Sequence, residues 1–127
     1  FGLPVGVAFQ LRDDLLGVFG DAELTGKPAG DDLLEGKRTV LVTLARESLP
    51  ATQRLIFDEL LGDASLDDEQ LGMLQLTIRS SNAVNQVEQM ISRNVERAEA
   101  ALDFAPLDKS TRERLIALAH RAAKRIA

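Results

Sequence analysis

Two adjacent carboxylates, Asp13 and Asp14, interrupt an apolar run that extends from Val5 to Phe19. An ionised carboxylate in apolar surroundings is costly unless it is paired with a cation or binds a metal. Carboxylate oxygens suit Mg²⁺, which commonly keeps several waters and binds substrate phosphates as well. The acid pair is therefore a candidate magnesium site. The alternative interpretation of the same two residues is the solvated edge of a surface helix.

Two lysines follow the acid pair, and each comes directly after a glycine. Lys27 follows Gly26, and Lys37 follows Gly36. A lysine ammonium is a common phosphate ligand that acts as a point charge. The residues between 20 and 30 are rich in Gly, Asp and Pro, which predicts a loop. Carboxylates, a metal ion and lysines gathered around a diphosphate would make one coherent site.

The apolar run that contains the acid pair is predicted to form a helix. It is too short and too polar to cross a bilayer, and its length and composition fit a buried helix better than a strand. At about 100° per residue, one narrow stripe of this helix carries glycine, amide and carboxylate groups. The stripe consists of Gly6, Gln10, Asp13 and Gly17. We therefore expect a polar stripe along an otherwise apolar helix.

The segment 9–37, FQLRDDLLGVFGDAELTGKPAGDDLLEGK, resembles the second aspartate-rich region of the trans-isoprenyl diphosphate synthases. This polyprenyl synthetase family includes the geranylgeranyl and farnesyl diphosphate synthases. In its pattern Phe-Gln precedes an Asp-Asp-x-x-Asp motif, and a Gly-Lys and a second Lys follow. The matching residues are Phe9, Gln10, Asp13, Asp14, Lys27 and Lys37. Gly17 stands where the last Asp of the motif is expected, and Asp21, one helical turn further on, is a candidate substitute.

The resemblance implies both a reaction and a role for each matched residue. The reaction is a Mg²⁺-dependent condensation of isopentenyl diphosphate with an allylic diphosphate, which yields a longer isoprenyl diphosphate. Asp13 and Asp14 are the implied metal ligands, and the two lysines share the catalytic role by contacting the allylic diphosphate. The residues implied at the substrates are Phe9, Gln10, Lys27 and Lys37, with Phe9 expected in the isopentenyl pocket.

The predicted fold is all-α, with about six helices that form the C-terminal part of an isoprenoid-synthase-type helical bundle. Residues 1–127 are expected to be the C-terminal portion of a single polyprenyl synthetase domain whose N-terminal half is absent. That half carries the first aspartate-rich motif in the family, so this chain alone is expected to be inactive. Apolar helix faces that would meet it predict self-association or a homodimer.

Hydrophobic periodicity and capping residues divide the chain after residue 30. The predicted helices are Thr39–Ala45, a helix from about Pro50 to Leu61, Asp67–Ser80, Val84–Leu102 and Thr111–Ile126. The predicted helix starts use Asp31 or Asp32, Ser48 with Pro50, Asp67 with Gln70, and Ser110 with Glu113. The segment DELLGD (58–63) echoes the acid motif, but it lacks the Phe-Gln before and the Gly-Lys after. It is predicted to be a helix end with surface acids.

Composition narrows the possible partners. The net charge is −5 over 127 residues, and the absence of a dense basic stripe argues against nucleic-acid binding. No transmembrane segment is predicted, and the lack of cysteine fits a cytoplasmic protein. Two other classes stay open. One is a terpene cyclase of related fold, which the Gly-Lys and second Lys fit poorly, and the other is a non-catalytic subunit of a prenyltransferase complex.

Overall fold

The structure is a computed structural model that describes residues 1–20 and 30–124. Within these ranges the chain forms helices and no strands. The helices are α1 (Gly2–Phe19), α2 (Asp31–Glu35), α3 (Val40–Glu47), α4 (Ala51–Leu60), α5 (Asp68–Ser80), α6 (Ala83–Asp103) and α7 (Lys109–Lys124). The predicted all-α class is confirmed, with seven helices in the described ranges instead of about six. Among them, none combines the length and the apolar character that a membrane crossing needs.

The described residues divide into two compact units. The first contains residues 1–13 and the described part of 88–126, and the second contains residues 14–87. Helices α1 and α6 each contribute residues to both units. Most of the predicted loop between 20 and 30 lies outside the described residues, and so does Lys27.

Helix α6 confirms the clearest periodic pattern in the sequence. Its buried apolar positions recur at three- and four-residue intervals, as expected for a helix that packs one face against a core. They are Ala83, Val87, Ile91, Val95, Ala98 and Leu102. Ala83 is buried where the pattern predicted Val84, which is only half-buried. Nothing beyond core packing is needed to explain this helix.

Arg12 connects three helices of the first unit. Its guanidinium donates to both carboxylate oxygens of Glu88, at 2.6 and 2.7 Å. Its Nε also donates to the backbone carbonyl oxygen of Ala123, at 2.6 Å. A bidentate arginine–carboxylate pair is among the strongest and most directional side-chain contacts. Arg12 therefore fixes α1 to α6 and α7 from the position immediately before Asp13.

The second unit is built around α5, against which α2, α3 and α4 pack. The largest fully buried side chains of this unit are Val18, Leu33, Leu41, Val42, Ile78 and Val87. The Gln75 side-chain amide donates to the carbonyl oxygen of Val18 at 2.7 Å, which attaches the end of α1 to α5. The segment 39–45, predicted as a buried helix, corresponds to α3 with Thr39 as its cap: the Thr39 hydroxyl accepts from the Val42 amide.

Of the predicted helix starts, only the one at α5 is confirmed as stated. Asp67 accepts from the Gln70 amide, and the Gln70 side chain accepts from the Asp67 amide, which completes a capping box. The start predicted at Asp31 or Asp32 is wrong. Gly30 is the cap of α2 in a left-handed conformation, without a side-chain hydrogen bond. Both aspartates are instead helical residues of the first turn, where carboxylates favour the helix dipole.

Two further starts are shifted along the chain. Ser48 ends α3 instead of starting α4, because its hydroxyl donates to the Ala45 carbonyl oxygen. Pro50 lies just before α4 as its cap residue. Asp108, and not Ser110, caps α7, since its Oδ1 accepts from the Thr111 amide at 2.7 Å. At both starts, residue type and spacing alone selected the wrong cap.

Replacing Asp108 with alanine is expected to lower the melting temperature of the chain. The hydrogen bond from the Thr111 amide holds the pKa of the Asp108 carboxyl below its usual value. The stabilisation is therefore fully present above the ordinary aspartate pKa and is lost as the pH falls through the lowered one. Thermal unfolding followed by circular dichroism at neutral and acidic pH measures this. The gap between wild type and Asp108→Ala should narrow in acid, and Ser110→Ala should have little effect at either pH.

Candidate functional site

Helix α1 carries the predicted acid pair, Asp13 and Asp14, in its C-terminal half. Asp14 is buried, with 4% of its surface exposed, whereas Asp13 is half-buried. Phe9 and Gln10, one turn earlier on the same helix, are exposed. Phe9, Gln10 and Asp13 belong to the first unit, and Asp14 belongs to the second. A buried carboxylate such as Asp14 is the kind of group that requires a charged or hydrogen-bonding partner.

The short helix α2 is enclosed by two glycines in the left-handed conformation. Gly30 precedes it with φ of 84° and Gly36 follows it with φ of 71°. At its end the Lys37 amide donates to the Asp32 carbonyl oxygen at 2.9 Å, and the Gly36 amide donates to that of Leu33 at 3.2 Å. This pair of hydrogen bonds around a left-handed glycine is a common helix ending. It sets the direction in which the chain leaves α2 toward Lys37.

Gly36 also lies against the backbone of a second glycine. A β-carbon at Gly36 would lie 2.9 Å from the Cα of Gly62, and Gly62 has a positive φ of 87°. The Gly62 amide donates to the Leu33 carbonyl oxygen at 2.9 Å, which holds the two segments together. Close backbone approach of this kind requires residues without a side chain. The position of Lys37 therefore depends on a contact with a segment 26 residues later.

Lys37 lies between α2 and the Thr39 cap of α3 in the second unit. Its ammonium lies 3.9 Å from Oδ2 of Asp32, and 45% of the lysine side chain is exposed. This separation is an ion pair at the long end of the usual range. The lysine is thus held beside a carboxylate while its charge stays accessible to a ligand from solvent. The role of Lys37 in binding an anion stays a prediction.

Asp32 is the functional candidate that sequence reasoning missed, since it was considered only as a helix cap. Its carboxylate is 4% exposed and lies against Gly17 of α1. A β-carbon built at Gly17 would lie 2.5 Å from Cγ of Asp32, so the carboxylate fills the space beside that glycine. The available signal was the pair Gly30 and Gly36 around the five residues 31–35, with Lys37 directly after the second glycine. Two such glycines turn the chain sharply on both sides of Asp32.

The second unit thus contains two buried carboxylates, Asp14 and Asp32, and the accessible ammonium of Lys37. Asp14 and Gly17 are three residues apart on α1, so they share one face of that helix. Asp31 and Glu35 add two less buried acids, and ligand oxygens of Asp31, Asp32 and Glu35 lie within 4.8 Å of one another. Carboxylate oxygens are the donors that Mg²⁺ prefers. The carboxylates of Asp31, Asp32 and Glu35 are therefore a donor set of the kind that fits a magnesium ion.

The motif-like segment around Asp58 has a structural explanation. The two carboxylate oxygens of Asp58 accept from the guanidinium of Arg46, at 2.7 and 2.8 Å. This hydrogen-bonded pair lowers the pKa of Asp58 and raises that of Arg46. The acid is therefore occupied in joining α3 to α4, which agrees with its interpretation as a structural residue.

Comparison with known proteins identifies relatives of the whole chain. A family model for polyprenyl synthetase matches residues 1–78. The geranylfarnesyl diphosphate synthase of Aeropyrum pernix is 41% identical over 115 residues, which are 90% of this chain and 35% of that protein. The octaprenyl diphosphate synthase of Escherichia coli is 36% identical over 129 aligned residues, which cover 98% of this chain and 38% of that protein.

The solved structures give the same result for the fold. A geranylgeranyl pyrophosphate synthase from Corynebacterium glutamicum, in complex with isoprenyl diphosphate and magnesium, matches with a TM-score of 0.89 and 42% identity. The match covers 96% of this chain and 35% of that one. The chain therefore spans little more than a third of the length of the relatives it matches. Motif, fold and relatives agree, and the chain belongs to the polyprenyl synthetase family.

Proposed function

We propose that this chain is part of a prenyltransferase that condenses isopentenyl diphosphate with an allylic diphosphate to make a longer isoprenyl diphosphate. The observation that carries the proposal lies within the second unit: the buried Asp14 and Asp32, and Lys37, which follows the left-handed Gly36 and lies beside Asp32. The names of the relatives, which are geranylfarnesyl, octaprenyl and geranylgeranyl diphosphate synthases, support the same reaction class.

Asp13 and Asp14 would hold Mg²⁺, which, when bound, supplies positive charge opposite the leaving diphosphate. Lys37 would bind the allylic diphosphate with its exposed ammonium, and Lys27 would do the same from its position outside the described residues. Gln10 would steady this side of the site, and Phe9 would line the isopentenyl pocket. Charge placed where the leaving group departs is usually the largest contribution to such a reaction.

The rest of the catalytic site would come from residues outside this chain. The first aspartate-rich region of the family has no counterpart in the 127 residues, so this chain alone should not catalyse elongation. The remaining part would lie on the same polypeptide or on a second one. A cytoplasmic location stays a prediction of the same proposal, as does homodimer formation.

The test is an elongation assay on the full-length protein with isopentenyl diphosphate, an allylic diphosphate and Mg²⁺. Product lengths are measured by mass spectrometry, and chelation of Mg²⁺ is the control. Elongated product that disappears on chelation would support a prenyltransferase. No elongation by a folded protein would favour the non-catalytic subunit, and a cyclic hydrocarbon product would favour the terpene cyclase.

The apolar surface of the second unit leads to a prediction about the isolated chain. Several large apolar side chains on α4 and α5 are exposed: Leu55, Ile56, Met73 and Leu76. Ile56 and Met73 line the same surface cavity, and neighbouring exposed apolar groups usually mark a place where another protein segment binds. We expect the isolated 127 residues to self-associate as the concentration rises. Light scattering measures this, and a monodisperse monomer at high concentration would contradict it.

A further inference from the structure

Gly17 stands in α1 where the last acid of the motif is expected, and the structure places another carboxylate beside it. Gly17 has no side chain, and the carboxylate of Asp32 reaches from α2 into the space next to it. Asp32 is 4% exposed, so this position is protected from bulk water. Asp31 and Glu35 on the same short helix are less buried and do not fill that space.

We propose that Asp32 supplies the carboxylate that Gly17 lacks, and that it acts as a positioning residue for the metal and diphosphate site. The proposal rests on the proposed function and adds a residue to it. A buried acid on the face of α1 shared by Asp14 and Gly17 keeps two carboxylates on this side of the site. Asp21, the substitute suggested by the sequence, lies outside the described residues. The described carboxylate beside Gly17 belongs to Asp32, 15 positions further along the chain.

Lys37 connects this carboxylate to the substrate. The Lys37 Nζ lies 3.9 Å from Oδ2 of Asp32, so charge attraction holds the ammonium without a short hydrogen bond. Lys37 therefore keeps N–H donors for a diphosphate, while the buried carboxylate of Asp32 attracts its ammonium. The Lys37 amide also donates to the Asp32 carbonyl oxygen, so backbone and side chain of the same aspartate position the lysine. Removal of the carboxylate should loosen the hold on the lysine, and with it the binding of a diphosphate.

The first comparison is Asp32→Asn, which keeps the shape beside Gly17 and removes only the charge. In the full-length protein we measure Mg²⁺-dependent binding of inorganic pyrophosphate by calorimetry, with melting temperature as the control for folding. Residues that act behind metal ligands typically change affinity by about 10- to 100-fold. We expect a loss in this range, with a KM for the allylic diphosphate that rises more than kcat falls.

The second comparison moves the carboxylate back to α1. Gly17→Asp/Asp32→Ala should recover most of the pyrophosphate affinity, because it restores an acid at the motif position. Gly17→Ala/Asp32→Ala is the matched control, since it fills similar space without the charge, and it should stay weak. Equal recovery by both double variants would mean that packing, and not charge, explains the effect of Asp32.

The outcomes separate this inference from the proposed function. A wild-type protein that binds no pyrophosphate with Mg²⁺ would overturn both. Wild-type binding together with unchanged affinity in Asp32→Asn would overturn only the role of Asp32. Weak binding in Asp21→Asn, with normal binding in Asp32→Asn, would assign the substitute carboxylate to Asp21 and overturn the inference as well.

Discussion

Asp13→Ala is expected to reduce elongation by the full-length protein about 100-fold or more, the size of effect seen when one group that stabilises developing charge is removed. Asp13 is half-buried, and the melting temperature of the variant is the control for folding. The variant would lack one ligand of the metal ion that would compensate the charge of the departing diphosphate. The measurement is kcat/KM for the allylic diphosphate at saturating Mg²⁺.

The sequence supplies its own control for Asp13. Asp58 occupies the same place in the motif-like segment DELLG (58–62), where it binds Arg46 and no substrate role is proposed. Asp58→Ala should keep kcat/KM near the wild-type value, with at most a small loss of stability, since exposed ion pairs contribute little. Equal activity in wild type and Asp13→Ala would mean that the metal site lies elsewhere.

Gly36→Ala is expected to destabilise the protein by about 2 kcal/mol or more. A left-handed conformation costs an L-residue about 1–2 kcal/mol, and the added β-carbon would meet the Cα of Gly62 at 2.9 Å. That neighbour is backbone and is held by the hydrogen bond from the Gly62 amide to Leu33, so it cannot move aside easily. Crowding in a packed interior adds about 1–3 kcal/mol. Chemical denaturation measures the free energy of unfolding.

Gly72→Ala is the matched control, and its effect should have the opposite sign. Gly72 lies in the interior of α5, and a β-carbon there would meet nothing within 4 Å. Alanine in a helix interior is favoured over glycine by about 0.5–1 kcal/mol. If both variants lost stability equally, glycine content and not the contact between Gly36 and Gly62 would explain the result.

The elements that the sequence predicts well are those whose stability is local. The apolar period of α6 and the capping box of Asp67 with Gln70 are each contained in one stretch of chain. The predicted starts at Ser48 and Ser110 were wrong because neighbouring residues compete for the role of cap. Asp108 caps α7 in place of Ser110, and the Ser48 hydroxyl binds the end of α3. Propensity identifies such residues, but the packing of the adjoining helices decides between them.

The candidate site could be predicted only in part, because some of its contacts join residues that are far apart in the sequence. Asp13, Asp14 and Lys37 could be proposed from residue type and spacing, because their pattern lies along the sequence. Asp32 could not be proposed in this way, because its burial depends on an absent side chain at Gly17 in another helix. Such complementarity between distant positions leaves no periodic trace in either segment.

The contacts of Arg12 set a minimum length for any shortened version of this polypeptide. The carbonyl oxygen that its Nε binds belongs to Ala123, 111 residues later. Truncation before Lys109 would remove that acceptor together with α7, and would keep the contact of the arginine with Glu88. Since Arg12 directly precedes Asp13, trimming the far end of the chain would loosen the helix that presents the acid pair. A shortened chain that ended at Pro106 would therefore lack the contact between Arg12 and Ala123 that supports this helix.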